Sequence, residues 1–127
     1  MGYVETNVRA FTAGTAIGAN LRVINSGGKL ALAGITAGPT TELGTLEEAA
    51  FADGDVVGVR LRNAKGTRLM VADGKIDLHD PVYTADNGKI SETGASTSYL
   101  RGIALEAAVT DGDIIEVMDV WPMVAES

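Results

Sequence analysis

The sequence predicts an all-β fold, a small β-barrel or sandwich built from short hairpins. Three observations carry that expectation. Sixteen glycines and only three prolines punctuate 127 residues, and the glycines fall between short Val/Ile/Leu runs. Short strands joined by tight turns have this rhythm. Several of the runs alternate apolar and polar residues, the period of a half-buried strand. Finally, EAAFADGDVVGV at residues 48–59 returns as EAAVTDGDIIEV at residues 106–117, a constant offset of 58 (106 − 48). Most positions are identical and the rest are largely small or β-branched exchanges.

Taken in order, the chain opens with an arm, residues 1–15. Its apolar residues Tyr3, Val4, Val8 and Phe11 fit neither a long helix nor strict alternation. One β-rich domain, residues 16–127, is expected to follow. Residues 21–34, LRVINSGGKLALAG, read as a hairpin turning at Ser26-Gly27-Gly28. Residues 45–52, TLEEAAFA, contain good helix formers, so a minor helix stays open there; the twin segment at 104–109 reads as a strand. In residues 57–63, Val57, Val59 and Leu61 face one way and Gly58, Arg60 and Arg62 the other. Residues 68–78 suggest a hairpin around Asp73-Gly74. In residues 82–91, VYTADNGKIS, Asn87-Gly88 suits a type I′ turn, which needs φ > 0 at both central positions. That turn would pair Ala85 with Ile90 and Thr84 with Ser91. The C-terminal stretch gathers Val120, Trp121, Pro122, Met123 and Val124. Apolar ends of this kind pack on the chain's own core or on another subunit.

The duplicated segment is a strand, a turn and a return strand written twice. Asp53-Gly54-Asp55 and Asp111-Gly112-Asp113 are turn chemistry: Asp side chains bond nearby amides and Gly takes the left-handed conformation. A calcium loop needs further oxygen ligands and a terminal Glu at fixed spacing. Here Val56-Val57 and Ile114-Ile115 follow instead. These turns are therefore expected to be structural.

Net charge is −7 and the pI about 4.5. Nucleic-acid binding needs a basic stripe, and anionic lipid repels such a surface, so neither nucleic acid nor membrane is expected as a partner. No apolar run approaches the roughly 20 residues of a membrane span, and the start lacks a signal-peptide pattern. There is no cysteine and a single histidine, His79. A general base needs a partner and a pocket; a zinc site needs more ligands. No nucleophile elbow, phosphate loop or dinucleotide fingerprint occurs. No catalytic residue, metal or cofactor is expected, and the chain reads as a non-enzyme.

The stretch VYTADNGKIS followed by GIALEAAVTDGDIIEVM resembles the capsid cement, or head decoration, proteins of tailed bacteriophages. The matching positions are Val82, Tyr83, Asp86, Gly88, Lys89 and Ile90, then residues 102–108, Gly112, Asp113, Ile115 and Val117. The match is good over residues 81–119 and looser over 16–62. The resemblance implies a small β-rich fold, a barrel or β-tulip-like sandwich. It implies a protein of the virion, made in the host cytoplasm and displayed on the outer capsid surface. Its partner would be the major capsid protein, which it would brace as a homotrimer at three-fold or quasi-three-fold positions. Capsid contact is then expected from Tyr3, Val4, Val8 and Phe11, and oligomer or capsid contact from Trp121, Pro122 and Met123. Two other readings stand beside it. A β-barrel binding module on a virion spike or tail would take a glycan or cell-surface ligand, with Tyr83 and Tyr99 as candidates. A small trimeric enzyme with sites between subunits would need carboxylates and a basic residue brought together from separate segments, for instance Asp77, Asp80 and Arg101.

Overall fold

The computed structural model describes residues 8–38, 40–64 and 66–125, with residues 120–125 described as backbone. Among the described residues, ten strands and one short 3-10 turn make up the regular structure. They are β1 (Val8–Thr12), β2 (Arg22–Ser26), β3 (Lys29–Leu32), β4 (Glu42–Leu46) and β5 (Val56–Leu61), then β6 (Arg68–Val71), β7 (Pro81–Thr84), β8 (Ile90–Ser91), β9 (Tyr99–Ala104) and β10 (Ile114–Ala125). The 3-10 turn, Asp86–Gly88, lies between β7 and β8. Two curled antiparallel sheets form a half-barrel. The all-β expectation holds, and no α-helix occurs among the described residues; residues 45–52 continue β4 and then bend.

The two sheets have the same plan. One runs β1-β5-β4-β2-β3 and the other β6-β10-β9-β7-β8, so adding five to each label converts the first into the second. The duplication seen over twelve residues therefore spans the whole domain. Details repeat with it. Ala13 bridges Leu30 in parallel as Ala72 bridges Ile90, and Ile17 bridges Ala50 as Ile76 bridges Ala108. The Ala13 amide donates to the Asp55 carbonyl at 2.7 Å, the Ala72 amide to the Asp113 carbonyl at 2.8 Å.

Each copy has its own core. Ala13, Ile17, Val23, Leu30, Leu46, Ala50, Val57 and Val59 pack in the first, with Phe11 against them. Ala72, Ile76, Val82, Ile90, Ala104, Ala108, Ile115 and Val117 pack in the second, with Met70 in the place of Phe11. Alternation explains both: β5 turns Val57 and Val59 inward, β10 turns Ile115 and Val117 inward, and the intervening residues face outward.

Four local expectations need adjustment. Residues 104–109, read as a strand, leave β9 at Ala104 and bend, with Ala108 alone bridged to Ile76, so the duplicated segment has one strand after its turn and none before it. Val8–Thr12, read as part of a peripheral arm, are paired with β5 from Val8↔Arg60 to Thr12↔Val56, and Ala13 is fully buried. The chain does not fold back at Asp73-Gly74. It turns there (Gly74 φ +96) and crosses to Ala108, with which Ile76 makes an isolated antiparallel bridge as it enters the second core. The β7–β8 hairpin has its turn at Asn87-Gly88, both with φ > 0, but pairs Thr84 with Ile90 and Tyr83 with Ser91. Ala85 takes up the one-residue difference, its amide donating to the Lys89 carbonyl at 3.0 Å.

Candidate functional site

The two copies meet across a line of buried charges. Arg22 on β2 pairs with Glu42 on β4 (Nη1 to Oε1, 2.8 Å), and Arg101 on β9 holds the other oxygen of the same carboxylate (Nε to Oε2, 2.8 Å). Arg101 also pairs with Asp119 on β10, and Asp119 pairs with Arg68 on β6 at 2.6 Å. The side chains of Arg22, Glu42, Arg101 and Arg68 are completely buried. Signs alternate along the row, so each inner charge lies between two opposite ones. Burial alone would raise the Glu42 carboxyl, but Arg101 and Arg22 hold it below the usual carboxylate range. Burial pulls the Arg68 guanidinium down to about 10, with Asp119 offsetting part of the cost. Burial likewise lowers Arg22, whereas Glu42 and Asp119 more than offset burial at Arg101.

Backbone atoms finish the joint. The Arg22 guanidinium donates to the carbonyls of Ala85 (2.6 Å) and Lys89 (3.1 Å). Arg68 donates to the carbonyls of Leu61 and Arg62, both at 3.2 Å. The Gly88 amide donates to the Ala33 carbonyl at 2.7 Å, and the Thr84 hydroxyl to the Ile35 carbonyl at 2.7 Å. Sliding one copy along the other would strand charges that water does not reach. That penalty is several kcal/mol per ion, so the row selects one docking geometry. This is an architectural use of charge; the row is closed to solvent except at Asp119, whose side chain is 15% exposed.

Beside the joint lies a cleft of about 400 Å³, with Glu47 and Arg60 on one wall and Thr67, Leu69, Glu106 and Glu116 on the other. The Thr67 hydroxyl donates to Glu116 at 2.5 Å, and the Glu116 amide donates to Glu106 at 2.7 Å. Both bonds lie within the second wall.

The sequence-expected residues fall in several places. At the Asp-Gly-Asp turns, Gly54 and Gly112 have φ +96 and +94. One Asp55 oxygen accepts the amides of Phe51 and Ala52, at 2.8 and 3.3 Å. One Asp113 oxygen accepts those of Val109 and Thr110, at 2.8 and 3.2 Å. These bonds hold the Asp113 carboxyl below its usual range. Asp53 pairs with Lys29 and Asp111 with Lys89, each at 2.8 Å. Val8 lies exposed on β1; Phe11 is half-buried, with the Arg9 guanidinium 4.7 Å from its ring centroid. Tyr3 and Val4 lie outside the described residues, as do the side chains of Trp121, Pro122 and Met123.

Asp77 and Asp80 do come together, with Glu92: one oxygen of each lies within 4.8 Å of the others. Lys75 pairs with Asp77 at 2.9 Å, and the Asp77 amide donates to Glu92 at 3.0 Å. Arg101, grouped with these aspartates on sequence grounds, instead sits in the buried row. His79 is exposed with φ +69. Tyr99 is half-buried and lies so close to Gly38 that a Cβ there would come within 2.6 Å of its ring. The residues that sequence reasoning missed are Arg22, Glu42, Arg68 and Asp119. Their only signal was a charge inside an otherwise apolar strand, as in Leu21-Arg22-Val23.

No protein-family model matches the sequence, and no curated protein matches it. The fold is similar to a solved structure, the N base of head fiber gp8.5 of bacteriophage phi29. The TM-score is 0.70 at 17% identity, with 89% of this chain and 92% of that chain covered. A likeness of that extent takes in both copies of the duplicated unit.

Proposed function

We propose that this chain is a structural protein of a phage head, a decoration protein that binds the outer surface of the major capsid protein shell. The observation that carries the reading is the end-to-end similarity of fold to the base of a phage head fiber. The resemblance of residues 81–119 to capsid cement proteins points the same way on independent grounds. On this reading the chain is not an enzyme and works by adding interface area. A modest contact repeated over a shell stabilises it through multivalency. Trimers at three-fold or quasi-three-fold positions would let each copy touch neighbouring shell subunits. A surface of net charge −7 keeps the free protein soluble and apart from other copies until it docks.

The test is cosedimentation of the purified chain with intact, undecorated shells assembled from the major capsid protein of the same phage. Saturation at a fixed ratio to shell subunits is expected, with shells that survive a higher temperature than bare ones. Chain left in the supernatant at every concentration would overturn the reading. A glycan-binding spike module would instead bind host cells and ignore shells.

A further inference from the structure

Each copy leaves two large apolar side chains in the open beside its Asp-Gly-Asp turn. Phe51 is 83% exposed and Val56 66%; Val109 is 77% exposed and Ile114 53%. Phe51 and Val109 stand 58 residues apart (109 − 51), as do Val56 and Ile114 (114 − 56). The fold does not use them: the inward residues of these strands are Val57, Val59, Ile115 and Val117. Other positions exposed in both copies have diverged: Ala16 corresponds to Lys75, and Gly18 to Asp77. An apolar residue kept twice at each of two wet positions calls for a surface that covers it.

We propose that these pairs are two equivalent docking points, and that they seat on two copies of one repeating partner subunit whose matching pocket is apolar with a basic rim. The bivalence follows from the duplication: one chain carrying the same contact twice fits a partner that presents the same site twice. The basic rim follows from charge. Glu48, Asp53 and Asp55 flank the first pair along the chain, with Lys29 paired to Asp53. Glu106, Asp111 and Asp113 flank the second, with Lys89 paired to Asp111. Two such acidic collars repel each other, which disfavours a second copy of this chain as the occupant. The points are also held ready. The amides of Phe51 and Val109 are each clamped at 2.8 Å by the carboxylate four residues on, so little backbone freedom is lost on docking. The identity of the repeating subunit as the capsid protein rests on the reading above.

The experiment compares the full chain with Phe51→Ser, Val109→Ser and the double variant in binding to undecorated shells. Circular dichroism and melting curves confirm that each is folded, as expected for residues so exposed. Each single variant should bind at least about tenfold more weakly, by loss of one arm of a bivalent contact, and the double variant at least about a hundredfold. Raising salt from 50 to 500 mM should weaken the wild-type chain. Wild-type affinity in all three variants would overturn the inference while leaving the capsid reading intact. A loss in only one single variant would overturn the bivalence. Failure of the wild-type chain itself to bind shells would overturn both. Self-association of the wild-type chain in sedimentation, abolished by Phe51→Ser, would make the occupant a second copy and overturn the proposal.

Discussion

The two halves of this molecule share a strand order, a core and a set of turns, yet one element is used differently in each. The β2–β3 turn, Gly27-Gly28, and the β7–β8 turn, Asn87-Gly88, have nearly the same backbone: φ +62 and +90 against +61 and +73. The first stands in solvent. The second presses onto the other half, where a Cβ on Gly88 would meet the Arg22 carbonyl oxygen at 2.8 Å. The charges diverge at the same place. Arg22 corresponds to Pro81 at the start of β7, and Glu42 to Leu100. Much of the seam is therefore written where the copies differ: Arg22 and Glu42 have no charged counterpart, whereas Arg68 has one in Arg9.

The largest effect should come from cutting the seam at its centre. Glu42→Ala leaves Arg22 and Arg101 facing each other without water, and removing one partner of a buried pair costs about 3–5 kcal/mol. Denaturant unfolding should show that loss, far above any loss from Leu100→Ala at the matching position, which carries no charge. The same residue sets an acid limit. The folded Glu42 carboxyl is held below its ordinary value of 4.5. Its contribution is complete above that value and is lost as pH falls through the depressed one. Melting temperature should be flat from pH 7 to about 5 and fall below about 4, and Glu42→Gln should flatten that fall. An acid profile identical in wild type and Glu42→Gln would place the titrating link elsewhere.

Next come the matched core positions. Ile17 and Ile76 are both buried and hold the same bridge in their own halves. Truncating either to Ala should cost about 2–5 kcal/mol. Their clusters share no member, so the double variant should lose the sum within about 0.5 kcal/mol. The shape of the transition sharpens the comparison. A seam that couples the halves gives one cooperative melt in both variants. Two melts, with only the mutated half shifted, would show that the halves fold independently.

The sequence announced the duplication only where side-chain identity is forced. Asp-Gly-Asp recurs because a left-handed Gly and a carboxylate aimed at two amides have few substitutes. Over the remaining strands the shared requirement is merely apolar and inward. It is met by Leu46 in one copy and Ala104 in the other, or by Phe11 and Met70. The anchors Ala13, Ile17 and Val23 against Ala72, Ile76 and Val82 were present, but sparse among residues free to drift. Asp73-Gly74 was legible as a turn and not as a destination: turn chemistry says that the chain bends, not which strand receives it. The charged seam was illegible for a different reason. Arg22 and Glu42 are 20 residues apart, Glu42 and Arg101 are 59, and no local pattern announces such a pairing.

The two turns offer a smaller, more pointed test. Ala at position 28 or 88 must adopt φ > 0, at a cost of about 1–2 kcal/mol. At Gly28 nothing lies within 4 Å of the new Cβ, so strain is the whole cost. At Gly88 the methyl also meets the Arg22 backbone, oxygen at 2.8 Å and nitrogen at 3.1 Å. Gly88→Ala should therefore cost at least about 1 kcal/mol more than Gly28→Ala. Equal losses would mean that the β7–β8 turn does not press on the first half as closely as its geometry indicates.

The smallest effect concerns a residue that the copies have exchanged without consequence for the fold. Asn20 and His79 occupy the same place, with φ +66 and +69. Their amides donate to matching carbonyls, Leu46 at 2.8 Å and Ala104 at 2.9 Å. Both are non-glycine residues in the left-handed region, but Asn adopts it at lower cost, because its short polar side chain bonds locally to the backbone. His79 is exposed and its imidazole supports no buried contact, so only the backbone preference should change. His79→Asn should stabilise the protein by a few tenths of a kcal/mol, about 1–2 °C in melting temperature. Asn20→His should destabilise it by a similar amount. Opposite and matching shifts would establish that the copies remain interchangeable away from the seam. A loss of several degrees in His79→Asn would instead give His79 a structural role that its twin does not have.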